Sequence, residues 1–339
     1  MGSKLASDET VIFFPSYAVQ SPDHKTWRVK LHAWVFELEA NSRFRGRLLQ
    51  SFASRLEATE SDVSSRLFQE RAKYFLVDNE RGKEVTLSIG GERLVLGPSE
   101  ANGHLQGVFT LDDAVVSKLR IEDPHRGISF VQAAVETGSG RDAMPPVQIS
   151  LLDANGISVV SDLDDTIKIS EVSSKRALIK NTFLGEYAPV PGMSEIYQKW
   201  RSPSVSFHYV TASPWQLYPS VIEFFGKQGF PHGTVSMKLF RWKDSSFFDL
   251  FASNDGYKRP LVEELLSVLP RRAFYFVGDS GEKDIDLYCG LAKAYPEQVR
   301  GIFIRKTPGI ELTSSYFGES CVQLVKFFES AQELPARLS

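Results

Sequence analysis

The sequence predicts a chain of two parts. Residues 1–153 form a mostly β, sandwich-like half with a helical insertion, and residues 156–339 form an α/β half built on a parallel sheet. Three observations predict it. Up to about residue 152, short runs alternate apolar and polar side chains between Gly and Pro, the two-residue period of half-buried strands. From about Asn41 to Val77 the period lengthens to that of a helix. After the turn sequence Asp153-Ala154-Asn155-Gly156, apolar runs alternate with helical stretches, as in a sheet joined by crossover helices.

In chain order, Val11-Ile12-Phe13-Phe14 and the stretch from Trp27 to Val35 read as the first strands. In the insertion, Phe44, Leu48, Leu49, Phe52 and Leu56 fall on one helical face. Glu84 to Leu94, Leu105 to Leu111, Ile128 to Val135 and Val147 to Leu152 return to strand texture. In the second half the strands are Ile157 to Ser161, Val205 to Val210, Val235 to Leu239, Ala273 to Val277 and Gly301 to Ile304. The expected helices are Trp215 to Gly226, Arg259 to Val268, Lys283 to Ala294 and Phe317 to Leu334. In such a sheet a ligand lies beyond the carboxyl ends of the strands.

A chain of 339 residues has room for two cores. With 39 basic and 42 acidic side chains and a net charge of −3, there is no global basic field to recruit nucleic acid. An anionic partner must be gripped locally. Cys289 and Cys321 allow at most one disulfide and no metal-binding pattern, and a reduced compartment is the expectation. No charged-then-apolar leader opens the sequence, and no apolar run approaches the ~20 residues that span a bilayer. The expectation is a cytoplasmic protein, with reversible peripheral contact to membranes left open.

The chemistry concentrates where apolar runs end. Val159-Val160-Ser161 leads into Asp162-Leu163-Asp164-Asp165-Thr166, where enclosed carboxylates repel one another and lose hydration. Two residues apart in extended backbone, Asp162 and Asp164 leave the same face. One can attack a phosphorus while the other protonates the leaving oxygen and later activates water. Asp165 points the other way and takes a structural role, and the Thr166 hydroxyl helps fix the turn. The plainer alternative is a carboxylate loop capping a helix N-terminus.

Thr211 ends the run from Val205 to Val210 and can donate to a phosphoryl oxygen. Ser213-Pro214 reads mainly as a helix cap, with Ser213 close enough to touch phosphate as well. His208, inside the apolar run, is expected to be a hydrogen-bonded core residue. Asp279 follows the run from Phe274 to Gly278, with Asp284 five residues on. Magnesium needs one or two carboxylates beside phosphate oxygen and water, so Asp162 and Asp279 are the expected ligands, helped by the backbone carbonyl of Asp164. Asp284 is expected to hold a metal-bound water or to orient a lysine, and Asp286 to belong to a solvated helix face. Lys258 supplies the cation, with Lys238, Lys243 and Arg259 as competitors.

In order, these four segments resemble the motifs of the haloacid dehalogenase (HAD) superfamily. The phrases Ser161-Asp162-Leu163-Asp164-Asp165-Thr166-Ile167-Lys168, Thr211-Ala212-Ser213-Pro214-Trp215-Gln216-Leu217 and Gly278-Asp279-Ser280-Gly281-Glu282-Lys283-Asp284 look more narrowly like the App1-type phosphatidate phosphatase family. The resemblance covers about Ile157 to Leu334. It implies a HAD-like Rossmannoid fold and a magnesium-dependent phosphatase acting on phosphatidate or related lipid phosphates. In that family's scheme Asp162 is the nucleophile, Asp164 the acid/base and Lys258 the third-motif lysine.

From Leu239 to Phe251 aromatics interleave with Arg241 and Lys243, so this segment could meet a lipid phosphate at a membrane interface. The alternative, a short core strand followed by a helix, is favoured because contiguous exposed aromatics are a liability. The short stretch from Thr166 to Val205 leaves little room for a large cap. Two rival functions stand beside the lipid phosphatase. One is a phosphatase for phosphoproteins or soluble phosphomonoesters, and the other a non-catalytic lipid- or protein-binding adaptor.

Overall fold

The computed structural model describes residues 2–38, 42–137, 142–240, 255–281, 283–307, 321 and 323–339. Side chains at 42–45, 48, 55, 175 and 255 are not described. Arg241, Lys243 and the rest of 241–251 therefore lie outside the described residues, as do Phe44 and Leu48 as side chains.

The chain divides into two compact units. The first comprises Met1–Ser51 and Lys73–Ala154, the second Phe52–Ala72 and Asn155–Ser339. In the first, β1 (Glu9–Phe13), β2 (Ser16–Gln20) and the long β3 (Thr26–Glu37) pair antiparallel, β3 holding both others along its length. Helix α1 (Ser42–Arg55) follows, then α2 (Glu60–Ser64) and α3 (Arg66–Ala72). The chain returns through β4 (Asp78–Asn79), β5 (Val85–Ile89) and β6 (Glu92–Leu96). The expected strand from Glu84 to Leu94 is thus a hairpin. Gly90 and Gly91, at φ of +59° and +90°, make its two-residue turn. Next come β7 (His104–Asp112), α4 (Asp113–Leu119), β8 (Ile121–Asp123), β9 (Ile128–Val135) and β10 (Val147–Leu152). The sheet order is β1-β3-β2-β10-β9-β5-β6, with β4 and β7 on β3 and β8 on β9. Inward-facing Trp27, Val29, Leu31, Ala33 and Val35 of β3 alternate into one core with Leu87, Leu105, Val131 and Ile149.

The second unit holds a six-stranded sheet, parallel throughout. Its first strand is β11 (Asn155–Ser161), buried on both faces from Ser158 onward, where Val159 and Val160 stand between two buried serines, Ser158 and Ser161. After it come α5 (Lys175–Ile179), a π-helical turn (Lys180–Leu184) and α6 (Met193–Trp200). Then follow β12 (Val205–Pro214), α7 (Tyr218–Gln228), β13 (Gly233–Lys238), α8 (Asp255–Val268), β14 (Arg271–Asp279), α9 (Asp284–Ala294), β15 (Val299–Arg305) and β16 (Val325–Phe328). The order β13-β12-β11-β14-β15-β16 means that winding runs outward from β11 in one direction, then reverses between β11 and β14. That reversal leaves a crevice at the carboxyl ends of those two strands.

Two expectations are corrected, and a pairing that the sequence left open is formed. Residues from Phe52 to Ala72 pack with the second unit, because Phe52 and Phe68 set their rings 5.5 and 6.2 Å from Phe183. The expected helix from Phe317 to Leu334 contains strand β16, where Val325 to Phe328 take the ladder edge that β15 offers. Cys289 and Cys321 form a disulfide, because α9 and the segment before β16 bring their Cα atoms to 5.5 Å. Among the described residues no helix is long and apolar enough to cross a membrane.

Candidate active site

The described candidate residues gather at the carboxyl end of the parallel sheet. Asp162 continues β11, and its N–H donates to Val277 O of β14 at 2.9 Å, so the ladder itself carries the first carboxylate to the crevice. Thr211 and Ser213 lie near the carboxyl end of β12, and Asp279 is the final residue of β14. Asp284 opens α9, and Lys258 rises from the first turn of α8.

One oxygen from each of Asp162, Asp279 and Asp284 lies within 4.8 Å of the others, all three residues buried. Three enclosed carboxylates repel. Lys258 answers two of them, its Nζ standing 2.8 Å from Asp162 Oδ1 and 2.8 Å from Asp284 Oδ1, with only 7% of its side chain exposed. Asp284 is thus a direct partner of the lysine. Asp162 Oδ2 also accepts from Thr166 Oγ1 at 3.3 Å. Asp279 Oδ1 accepts from the Gly281 N–H at 2.5 Å and from Thr307 Oγ1 at 3.1 Å. Asp284 Oδ2 is buried and has no hydrogen-bond partner among the described residues. Gly278 makes room for it, since a Cβ there would lie 2.4 Å from that oxygen.

The Asp164 carboxylate is not part of this group. Its Oδ1 accepts from Lys168 Nζ at 2.8 Å and Ser170 Oγ at 2.7 Å, its Oδ2 from Thr211 Oγ1 at 2.8 Å and Ser213 Oγ at 2.9 Å. Burial pushes the Asp164 carboxyl up, but the Lys168 ammonium and these hydroxyls outweigh it and hold the group below the usual carboxylate range. Burial likewise pushes Lys168 down, and Asp164 overturns that, so the lysine is held above its ordinary value.

Ser213 is therefore not a helix cap. It remains in the strand, and its hydroxyl faces Asp164. Asp165, at φ +56°, collects the N–H groups of Ser170, Glu171 and Val172 and folds the loop around itself. Its carbonyl accepts from Arg305 Nη1 at 2.7 Å. His208 is a core residue between Thr234 Oγ1 at 2.9 Å and Ser158 Oγ at 3.2 Å. Asp286 is exposed, while Lys238 and Arg259 are half-buried. Phe240 is buried, and its carbonyl accepts from Gln216 Nε2.

Sequence reasoning assigned no role to Lys168 or Ser170. The available signal was Lys168 itself, a cation four residues after an expected buried carboxylate. An i,i+4 pair is read easily on a helix, but this one sits in a loop, where spacing gives no direction.

Residues 157–306 match the family described as phosphatidate phosphatase APP1, catalytic domain. Over 161 residues, 47% of this chain and 26% of the relative, the sequence is 30% identical to an uncharacterized protein of Schizosaccharomyces pombe. Over 154 residues, 44% of this chain and 26% of the relative, it is 30% identical to phosphatidate phosphatase APP1 of Saccharomyces cerevisiae. The chain thus spans about a quarter of the length of these curated relatives. Among solved structures, ferredoxin-NADP+ reductase from Plasmodium falciparum with 2'P-AMP aligns over 88% of this chain and 96% of its own. The identity is 10% and the TM-score 0.21, too loose a likeness to argue from. The four carboxylates, Lys168 and Lys258 all lie inside the stretch that is similar to the catalytic domain of the App1 phosphatidate phosphatase family.

Proposed function

We propose that the second unit is a HAD-like, magnesium-dependent phosphatase that hydrolyses phosphatidate or related lipid phosphomonoesters through an aspartyl-phosphate. One observation carries this reading. Three buried carboxylates converge within 4.8 Å, and a buried lysine bridges two of them, in a stretch similar to a phosphatidate phosphatase domain.

The donor set fits magnesium. All three side chains offer oxygen, and among the described residues no His or Cys joins them and buried Asp284 Oδ2 has no hydrogen bond to lose. Asp162 and Asp279 would hold the ion, with Asp284 beside them. When bound, it neutralises carboxylate and phosphoryl charge together.

The residues then divide the reaction. A carboxylate oxygen of Asp162 attacks phosphorus, forming an O–P bond as the ester P–O bond breaks. Asp164, which takes up a proton as the phosphoryl charge arrives beside it, gives that proton to the departing alcohol oxygen. In the second step water attacks the phosphorus of the aspartyl-phosphate, its proton passes to Asp164, and the Asp162–phosphorus bond breaks. The products are alcohol and inorganic phosphate. Lys258 and the hydroxyls of Thr211 and Ser213 supply donors to the phosphoryl oxygens as charge builds.

Phosphate release from phosphatidate in mixed micelles, with and without magnesium and beside soluble phosphomonoesters, tests this. Turnover of phosphatidate should require magnesium and vanish in Asp162→Asn and in Asp164→Asn, while magnesium raises the melting temperature of the parent protein. Full turnover after exhaustive chelation would sink the metal-assisted reading. Turnover of soluble esters alone would move the substrate from lipid to soluble phosphomonoester. No turnover of either would leave the adaptor.

A further inference from the structure

The grip on Asp164 is uneven. Oδ1 faces the Lys168 ammonium at 2.8 Å and Ser170 Oγ at 2.7 Å, and Lys168 and Ser170 are hydrogen-bonded to each other. Oδ2 faces two hydroxyls, those of Thr211 and Ser213. A hydroxyl turns about its C–O bond and can hand its hydrogen bond to an arriving phosphoryl oxygen. A buried ammonium cannot leave its carboxylate without stranding both charges. One oxygen of Asp164 is anchored and the other can be released.

Lys168 is itself held from behind. Its Nζ lies 4.8 Å from the centroid of the buried Tyr187 ring, and Arg71 Cζ lies 4.2 Å from the same centroid. Arg71 is fixed in turn, because Nη1 donates to the carbonyls of Thr182 at 2.9 Å and Gly185 at 2.7 Å, at the end of the π-helical turn. It is buried and arrives on α3, from outside the 157–306 stretch that matches the catalytic family. The first half of the sequence thus supplies a support behind the site.

We propose that Lys168 is a positioning residue for proton transfer. With Ser170 it anchors Oδ1 of Asp164 so that Oδ2 meets the leaving oxygen, and Arg71 keeps Lys168 in place through the ring of Tyr187. This inference rests on the phosphatase reading above. It adds a demand on the leaving group, because anchoring matters most where the departing oxygen needs a proton. An alkoxide leaving from phosphatidate needs one, whereas p-nitrophenolate leaves as a stable anion.

The experiment compares kcat and KM on phosphatidate micelles and on p-nitrophenyl phosphate for the parent, Lys168→Met, Lys168→Arg, Tyr187→Leu and Tyr187→Phe. Lys168→Met should lower kcat on phosphatidate by about a hundredfold, change KM by less than about threefold, and lower kcat on p-nitrophenyl phosphate by less than about tenfold. Lys168→Arg should recover part of the phosphatidate rate. Tyr187→Phe, which keeps the ring, should behave as the parent, and Tyr187→Leu should shift the ratio of the two rates in the same direction as Lys168→Met. Equal losses on both substrates, or no loss, in a folded variant would overturn the positioning role. If Lys168→Met does not fold, the ratio measured in Tyr187→Leu decides. A parent that hydrolyses neither substrate fails the phosphatase reading, and this inference with it, before any variant is compared.

Discussion

Lys258 Nζ stands 2.8 Å from Asp162 Oδ1, across 96 residues of sequence. The same ammonium reaches Asp284 Oδ1 at an equal distance, so one cation holds the carboxylate at the end of β11 against the carboxylate that opens α9. With so little of either partner exposed, the pair is not screened as a surface salt bridge would be. The lysine therefore neutralises the cluster, and in the proposed reaction it has a second task, donating to phosphate.

Lys258→Met is expected to separate those tasks. Removing the cation leaves buried carboxylates uncompensated, which costs about 3–5 kcal/mol of stability. Turnover should fall by about a hundredfold or more, as for loss of one preorganised donor. Magnesium should return part of the lost melting temperature without returning the rate. A variant with parental melting temperature in metal-free buffer would show that the pair does not support the fold.

Gly278→Ala tests the space behind Asp284. The added Cβ would lie 2.4 Å from Asp284 Oδ2, 2.8 Å from Asp284 Cβ and 2.8 Å from Tyr288 Cε2. The start of α9 must shift, at a cost of about 1–3 kcal/mol for overpacking. The magnesium concentration that half-saturates the thermal shift should rise with it. Unchanged stability and an unchanged magnesium midpoint would mean that α9 moves aside freely and that Asp284 does not depend on this glycine.

Stability should fall as pH drops from 7.5 to 5. Burial, then the Arg272 charge, pushes His208 down to about 3, and burial pushes His104 down to about 3. Burial also lowers His32, whose Nε2 is 2.9 Å from His104 Nδ1. Each folded-state value is depressed, so the unfolded chain binds the protons that the folded one refuses. The contribution is complete above about pH 6.5 and is lost toward about pH 3, at about 1.4 kcal/mol per pH unit for each such histidine. Denaturant unfolding across this range measures it, and His208→Gln should flatten the slope for the second unit. Rising stability between pH 7.5 and 5 would contradict the buried neutral assignments.

What the sequence determined by itself is local. Ile157 to Ser161 and Phe274 to Val277 place apolar side chains on both faces, so they announced buried parallel strands, and the residues that stop those runs announced a site. Asp162, Thr211, Asp279 and Asp284 were legible because a strand end or a helix start fixes where such a side chain emerges, whatever the rest of the chain does.

Only the tertiary structure decided which side chains meet. It set Lys258, the cation the sequence already favoured, against Asp162 and Asp284, turned Ser213 from a helix cap into a partner of Asp164, and joined Cys289 to Cys321. It also carried Arg71 from the β-rich half to a ring shared with Lys168. The reason is physical. Periodicity records the face a residue presents to its own element, whereas a contact between loops depends on which elements pack side by side. That order is set by burial summed over the whole chain, and no short stretch of sequence contains it.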